Sequence, residues 1–243
     1  MNISISENAQ ILGAKAAHLT AKKLNEAIER QGEARLVLST GASQFTTLEA
    51  LIQEDVDWSK VEMFHLDEYM GISEEHPASF CRYLKERFVS KVPLKQAHYV
   101  HGDRDMEETL KELTVQIREK PLDVGLIGIG ENAHIAFNDP PADFDTDQAY
   151  IVVDLDEKCK NQQVREGWFE NIDSVPKQAV TMAVKQILKC KSIISSVPYQ
   201  VKAQAICDLM QTPVSNLVPG TVLKQHQDFH LFLDKDSASL IYK

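Results

Sequence analysis

The stretch "GLIGIGENAHIAFNDPP", residues 125–141, changes within a few positions from apolar to strongly polar. Its first six residues are apolar or glycine, which is typical of a buried strand. The polar residues that follow are Glu131, Asn132, His134, Asn138 and Asp139. In open α/β sheets, ligands bind beyond the carboxyl ends of the strands. The stretch therefore predicts a strand of such a sheet with a polar ligand site at its end.

Patterns typical of strands and of helices alternate on both sides of this stretch. Helices of ten or more residues between successive strands favour parallel βαβ units. We therefore expect a single-domain α/β protein with a mostly parallel sheet and helices on both faces. The 243 residues, 43% of them hydrophobic, are sufficient for one core and do not require two. The predicted strands are residues 35–39, 61–66, 124–129, 149–155, 192–197 and 229–234, and the predicted helices are 8–31, 44–54, 79–89, 106–120, 175–190 and 199–210.

Composition argues against several classes of partner. The formal net charge is -10, from 26 basic and 36 acidic residues, whereas nucleic acids and anionic membranes need a basic surface. The sequence shows no signal-peptide pattern and no run of about 18 apolar residues, so we expect a soluble, cytoplasmic protein. The four cysteines, Cys81, Cys159, Cys190 and Cys207, are widely spaced, which indicates buried or incidental thiols rather than a disulfide framework or a zinc site.

The loop after the predicted strand at 35–39 is suited to binding an anion. Thr40, Gly41, Ala42 and Ser43 can offer backbone N–H groups and two hydroxyls, with the start of a helix behind them. Such donors suit a phosphate monoester. An ordinary strand-to-helix turn capped by Thr40 or Ser43 is the alternative.

Asp67 follows the predicted strand at 61–66 and would face the same edge of the sheet. Apolar neighbours raise the pKa of a carboxyl group, and a carboxylate with a raised pKa can act as a general base toward a carbon-bound proton. The alternative is a solvated pair of acids, Asp67 and Glu68, in a turn.

His134 has Asn132 and Asp139 near enough in sequence to orient its ring. An imidazole held in this way is suited to moving protons between oxygens, such as those of a sugar hemiacetal. Its alternative is a structural role in the core. Arg165 and Lys202 are candidates for the positive charge that a phosphate dianion needs, although either can be an ordinary surface base.

Several familiar catalytic patterns are missing from the sequence. It has neither an H-E-x-x-H metal motif nor a G-x-S-x-G nucleophile elbow. These gaps favour proton transfer on a small phosphorylated molecule, without a metal or another cofactor.

Five motifs, in this order along nearly the whole chain, resemble those of the glucosamine-6-phosphate deaminases, also called isomerases, and more distantly of the 6-phosphogluconolactonases. "STGAS" is similar to the family's phosphate loop, and "FHLDEYMGISEEHPASF" to F-x-x-D-E-Y followed by H-P-x-S and an aromatic residue. "GIGENAHIAFNDP" resembles G-x-G-x-D-G-H-I-A-F-N-E-P. "SVPKQAVTMAV" resembles V-P-x-x-A-x-T, and Lys202-Ala203 resembles a K-A pair near the phosphate.

The resemblance implies a modified Rossmann-like fold and conversion of glucosamine 6-phosphate and water to fructose 6-phosphate and ammonia. By motif position, Asp67 would move a proton between C2 and C1, and His134 would assist ring opening. The residues that would hold the phosphate are Thr40, Gly41, Ala42, Ser43, Lys202 and Arg165. The match of Arg165 requires a one-residue insertion relative to the family pattern.

Three positions depart from the family pattern. Asn132 and Ala133 stand where Asp and Gly are usual, and Asp139 stands where Glu is usual. Because Asn132 carries no charge, electrostatic support for a protonated His134 must come mainly from Asp139, and we expect a less basic imidazole. Alanine at position 133 would make a positive φ costly there.

Three functions remain open on the sequence alone. The first is deaminating isomerisation of a hexosamine 6-phosphate, either glucosamine 6-phosphate or an epimer such as galactosamine 6-phosphate. The second is hydrolysis of 6-phosphogluconolactone. The third is a sugar-phosphate-binding regulator that has lost turnover. The sequence leaves the choice between a monomer and a homo-oligomer undecided.

Overall fold

The apolar run of the opening stretch supplies the central strand of a seven-stranded sheet. The computed structural model describes residues 1–241, and in it this strand is β6 (Val124–Leu126). The others are β1 (Asn2–Ser6), β2 (Ala34–Leu38), β3 (Val61–His65), β5 (Gln96–His98), β9 (Ser192–Val197) and β10 (Phe229–Asp234). Their order is β1-β10-β9-β6-β2-β3-β5, and every pairing is parallel. The predicted parallel α/β architecture is confirmed.

A second, smaller sheet is antiparallel and has three strands. These are β4 (Asp67–Tyr69), β7 (Tyr150–Asp154) and β8 (Gln178–Met182), in the order β4-β8-β7. A single residue, Leu66, separates β3 of the large sheet from β4 of the small one. The small sheet therefore continues the chain at the carboxyl edge of the large one.

Helices cover both faces of the large sheet. One apolar core joins it to residues of the first three helices, and another joins it to the fourth, sixth and seventh. No helix within residues 1–241 has the length and hydropathy needed to cross a bilayer. The helices are α1 (Ala9–Gln31), α2 (Phe45–Leu51), α3 (Phe80–Arg87), α4 (Met106–Arg118), α5 (Glu157–Arg165), α6 (Val184–Ile187) and α7 (Ala203–Gln211).

The helix predicted at 175–190 is wrong over most of its length. Residues 178–182 form β8, and only Val184–Ile187 is helical. Four of the five residues of β8 are buried, because the strand lies between two others and against the core. A strand buried in this way has no regular alternation, so its apolar spacing fitted a helix equally well. The strands β1, β4 and β5 and the helix α5 were not predicted.

Arg35 is a charged residue that is buried in the structure. Its side chain is 2% exposed, and it connects β2 to the end of α4. The guanidinium group donates from Nε to Glu62 Oε2 (3.2 Å), from Nη1 to the carbonyl of Ile117 (3.1 Å) and from Nη2 to that of Gln116 (2.5 Å). It also donates to the carbonyl of Lys120. These bonds satisfy backbone carbonyls that a helix end otherwise leaves unpaired.

We expect Arg35→Met to lower the free energy of unfolding by about 3 kcal/mol, because it leaves several backbone carbonyls without their donor and Glu62 with Lys95 as its remaining partner. The matched control is Arg30→Met, since the Arg30 side chain is 55% exposed and contacts Asp123 at 3.4 Å. Its loss should cost less than about 1 kcal/mol. Urea denaturation of both variants measures the difference, and equal losses would contradict this account of Arg35.

Candidate active site

A cavity of about 410 Å³ lies at the carboxyl ends of the central strands. This volume is in the usual range for small-molecule sites. Eight of the ten predicted site residues line the cavity: Thr40, Gly41, Ala42, Ser43, Asp67, His134, Arg165 and Lys202. The other two lie behind His134. Asn132 accepts a hydrogen bond from the backbone N–H of His134, and Asp139 contacts the ring at Nδ1. The parallel sheet thus brings together residues that are far apart in sequence.

The loop at residues 40–43 is anchored on both sides. Tyr83 donates its hydroxyl to the carbonyl of Gly41 (2.9 Å). Gln44 Nε2 donates to the carbonyl of Ser196 in β9 and to Ser43 Oγ, both at 3.1 Å. Gly41 has φ 100°, a conformation that favours glycine. These contacts fix the loop against the neighbouring strand, so its donors are held in place before a ligand arrives.

Asp67 is the first residue of β4 and pairs with Thr181 of β8. It is 5% exposed, and its side chain lines the cavity beside Leu66. Burial raises its pKa well above the ordinary value for aspartate, and the adjacent Glu68 raises it further. A carboxylate with a raised pKa can accept a proton near neutral pH.

Glu68 has a different environment from Asp67. Its carboxylate accepts hydrogen bonds from the backbone N–H groups of Tyr69, Phe80 and Cys81 and from the hydroxyl of Ser79, at 2.8–3.1 Å. Burial raises its pKa to about 7, although these donors act in the opposite direction. Glu68 therefore connects β4 to the start of α3. Since both acids are buried, they do not form a solvated pair in a turn.

Asp139 lies behind His134. Its Oδ1 is 2.8 Å from His134 Nδ1, in a bent contact, and it accepts a hydrogen bond from Asn132 Nδ2 (3.0 Å). Burial tends to raise the pKa of Asp139, but His134 and then Asn132 outweigh it and hold the pKa below its ordinary value. Asp139 therefore carries the negative charge behind the imidazole, and Asn132 supports it as a neutral donor.

The backbone around His134 is tightly constrained. Ala133 has φ 64°, the left-handed conformation that alanine adopts at a cost. A Cβ atom at Gly130 would lie 2.2 Å from His134 Nε2, so only glycine fits beside this ring. Asn138 Nδ2 donates to the carbonyls of Ile135 (2.9 Å) and Met182 (3.0 Å), which ties the loop to the end of β8. The position of the imidazole is thus set by the backbone on both sides.

Two cations reach the cavity from different elements. Lys202 lies in the turn before α7 and is 5% exposed. Burial lowers its pKa, while the charges of Glu166 and Glu131 oppose that effect. Arg165, the last residue of α5, is 57% exposed and forms an ion pair with Glu131. The predicted cations therefore lie among carboxylates.

Sequence reasoning missed the part of the cavity wall that α5 supplies. This helix adds Gln162 and Gln163 to the lining, the residue after it adds Glu166, and the loop after β6 adds Glu131. The segment 157–165 is mostly polar, so it carried little of the apolar spacing that reveals a helix. Its first turn does carry a helix signal, since Asp156 caps it by accepting the N–H of Cys159 (2.6 Å).

Two groups of side chains within residues 1–241 could hold a metal ion. In each, three potential ligand atoms lie within 4.8 Å of one another. The first group is Glu74, Cys81 and His101, where Glu74 already accepts a hydrogen bond from Lys85 (2.6 Å). The second group is His134, Asp139 and Cys159.

Comparison with known proteins agrees with the motif pattern. The family model of glucosamine-6-phosphate isomerases and 6-phosphogluconolactonase matches residues 7–231. The chain is 34% identical to a glucosamine-6-phosphate deaminase of Oenococcus oeni over 215 residues, which cover 88% of this chain and 89% of that protein.

Solved structures show the same relationship. The structure of a monomeric glucosamine-6-phosphate deaminase superposes with a TM-score of 0.91 at 30% identity, covering 99% of this chain and 100% of that one. A putative 6-phosphogluconolactonase of Neisseria gonorrhoeae shares the fold, with a TM-score of 0.78 at 19% identity over 96% of this chain and 99% of that one. The chain therefore belongs to the family of glucosamine-6-phosphate isomerases and 6-phosphogluconolactonases.

Proposed function

We propose that the protein converts a hexosamine 6-phosphate and water into a ketohexose 6-phosphate and ammonia, with glucosamine 6-phosphate as the substrate. The observation that carries this proposal is that Asp67 and the loop at residues 40–43 line one cavity. A substrate held by its phosphate at that loop can then present its carbon chain to Asp67. Relatives named as glucosamine-6-phosphate deaminases, at 30–34% identity over most of the chain, support the same reaction.

The phosphate would be held by residues 40–43 and Lys202. The loop offers fixed backbone N–H groups and hydroxyls, and Lys202 adds a buried positive charge from another element. Arg165 would supply a second cation from α5. Fixed donors orient the substrate at little entropic cost, because the protein has already ordered them.

His134 would open the sugar ring. Its Nδ1 lies against Asp139, so Nε2 is the atom that exchanges protons with the substrate. Ring opening needs a proton on the ring oxygen and the loss of one from the C1 hydroxyl, which yields a free aldehyde at C1. Asp139 would stabilise the imidazolium while it holds the proton.

Asp67 would then act on the open chain. Its carboxylate removes the proton from C2 while the ammonium group on C2 gives a proton to the C1 oxygen, and the result is a neutral enolamine with a hydroxyl at C1. Asp67 then returns its proton to C1. The product is an imine at C2. Water adds to this imine, and the C–N bond breaks to release ammonia and leave the ketone. The raised pKa of Asp67 suits both the removal and the return of the proton.

We expect Asp67→Asn to lower the rate of ammonia release by about a hundredfold or more, since an amide cannot accept the proton. Exchange of the substrate's C2 hydrogen with deuterated water should also stop. Both are measured with the purified variant after circular dichroism confirms that it is folded. Unchanged ammonia release would show that another group is the base.

We expect His134→Gln to slow the reaction of the cyclic sugar phosphate much more than that of an open-chain analogue, because only the cyclic substrate needs ring opening. The two rates are measured with the same preparation of the variant. Equal losses on both substrates would remove the proposed role of His134.

Asp67 should also make stability depend on pH. Its pKa is higher in the folded than in the unfolded chain, so its ionisation costs folding free energy as pH rises from the unfolded pKa through the folded one. Asp67→Asn removes this cost. The variant should melt at a higher temperature than the parent at pH 8, and the gain should disappear near pH 3. The exposed Asp103→Asn serves as the control, and a variant that melts lower at pH 8 would contradict the assignment.

A panel of substrates separates the open functions. A deaminase releases ammonia and a ketose phosphate from glucosamine 6-phosphate or galactosamine 6-phosphate, whichever epimer it prefers. A lactonase releases neither but hydrolyses 6-phosphogluconolactone, and a regulator binds sugar phosphates without turnover. Measurement of ammonia, ketose phosphate, hydrolysed lactone and sugar-phosphate binding with the wild-type protein decides between the three functions.

A further inference from the structure

The wall of the cavity contains an ion pair between two of its lining residues. Glu131, in the loop after β6, accepts a charge-assisted hydrogen bond from Arg165 Nη2, at the end of α5. The side chain of Glu131 is 23% exposed, and that of Arg165 is 57% exposed. Arg165 and Lys202 are the two cations of the proposed phosphate-binding set, and both line the cavity. One of the donors of Arg165 is therefore already in use by an anion of the protein itself.

A second carboxylate and a second cation lie in the same cavity wall as this pair. Glu166 also lines the cavity, and the charges of Glu166 and Glu131 both act on Lys202. The two carboxylates thus oppose the two cations, and the net formal charge of these four side chains is zero. A phosphate that enters the cavity therefore meets cations whose charges are already balanced by the two carboxylates.

The two carboxylates differ in what they contact. Glu166 accepts hydrogen bonds from two neutral groups, Gln162 Nε2 (2.7 Å) and Trp168 Nε1 (3.0 Å). Glu131 instead binds the guanidinium of Arg165. A phosphate ester that approaches Arg165 therefore competes directly with Glu131, whereas Glu166 affects it only through its charge.

We propose that Glu131 is a competing anion that binds Arg165 and must release it when a phosphate monoester binds. Glu131 thereby lowers the affinity for phosphate and makes the engagement of Arg165 depend on an anionic ligand. A neutral sugar cannot take the guanidinium from a carboxylate, but a phosphate dianion can, since it offers more charge and more acceptor oxygens. This inference rests on the proposed function in taking a phosphate monoester as the ligand.

The test is calorimetric titration of the whole protein with inorganic phosphate and with glucose 6-phosphate. Glu131→Gln removes the charge and keeps the size of the side chain. We expect it to tighten the binding of both ligands by roughly threefold or more, which is the range for a partly exposed ion pair. The KM for the sugar-phosphate substrate should fall by a similar factor.

Two further variants separate competition from a general effect of charge. Glu166→Gln removes the same charge from the same wall but does not free Arg165, so it should change phosphate affinity by less than Glu131→Gln. In an Arg165→Ala background, Glu131→Gln should give no more than the small gain of Glu166→Gln, because no guanidinium remains to be released and only the effect of the charge on Lys202 is left.

Several outcomes would overturn the proposal. These are weaker or unchanged phosphate binding in Glu131→Gln, an equal gain in Glu166→Gln, the same gain in the Arg165→Ala background, or no phosphate binding by either the wild type or Glu131→Gln. Weaker binding would show that Glu131 instead orients Arg165 toward the ligand. Because phosphate binding is measured without turnover, a gain in Glu131→Gln supports the proposal even if no ammonia is released, in which case only the proposed reaction fails.

Discussion

The parallel pairing of the central strands is the constraint on which the site depends. Because β2, β6 and β9 run in the same direction, the loops that follow them open at one edge of the sheet. β3 pairs parallel with β2 and delivers Asp67 to that edge after one further residue. Residues that lie as far apart as Thr40 and Lys202 therefore line a single cavity.

The same constraint explains why so many polar groups are buried near the cavity. Asp67 and Lys202 are each 5% exposed. Burial raises the pKa of Asp67 and lowers that of Lys202, so it favours the neutral form of each. Burial of such groups lowers the free energy of unfolding, and favourable contacts elsewhere in the structure must offset that loss. Neither Arg35 nor Glu68 lines the cavity, and the hydrogen bonds that each makes strengthen the scaffold on which the cavity is built.

The sequence was sufficient for five of the seven strands of the large sheet, but only for β7 of the small one. Strands such as β2 and β6 lie in short, mostly apolar runs that are followed by glycine or polar residues, and this signal is local. The strand β8 becomes a strand only by pairing with β4 and β7, and its apolar spacing also suits a helix. Likewise, cavity-lining residues that follow strand ends were predicted, whereas Gln162 and Gln163 on the polar helix α5 and Glu166 directly after it were not. The contact of Glu131 with Arg165 spans 34 positions, and no short motif records it.

The single residue between β3 and β4 would also limit which substrates suit the proposed reaction. Leu66 leaves no slack between the two sheets, so the separation of Asp67 from the loop at residues 40–43 is a property of the rigid framework and not of movable side chains. A framework of this kind would select substrates by the distance between their phosphate and their reactive carbon. A phosphorylated sugar with a shorter carbon skeleton, anchored at the same end, would hold its reactive carbon out of register with the carboxylate.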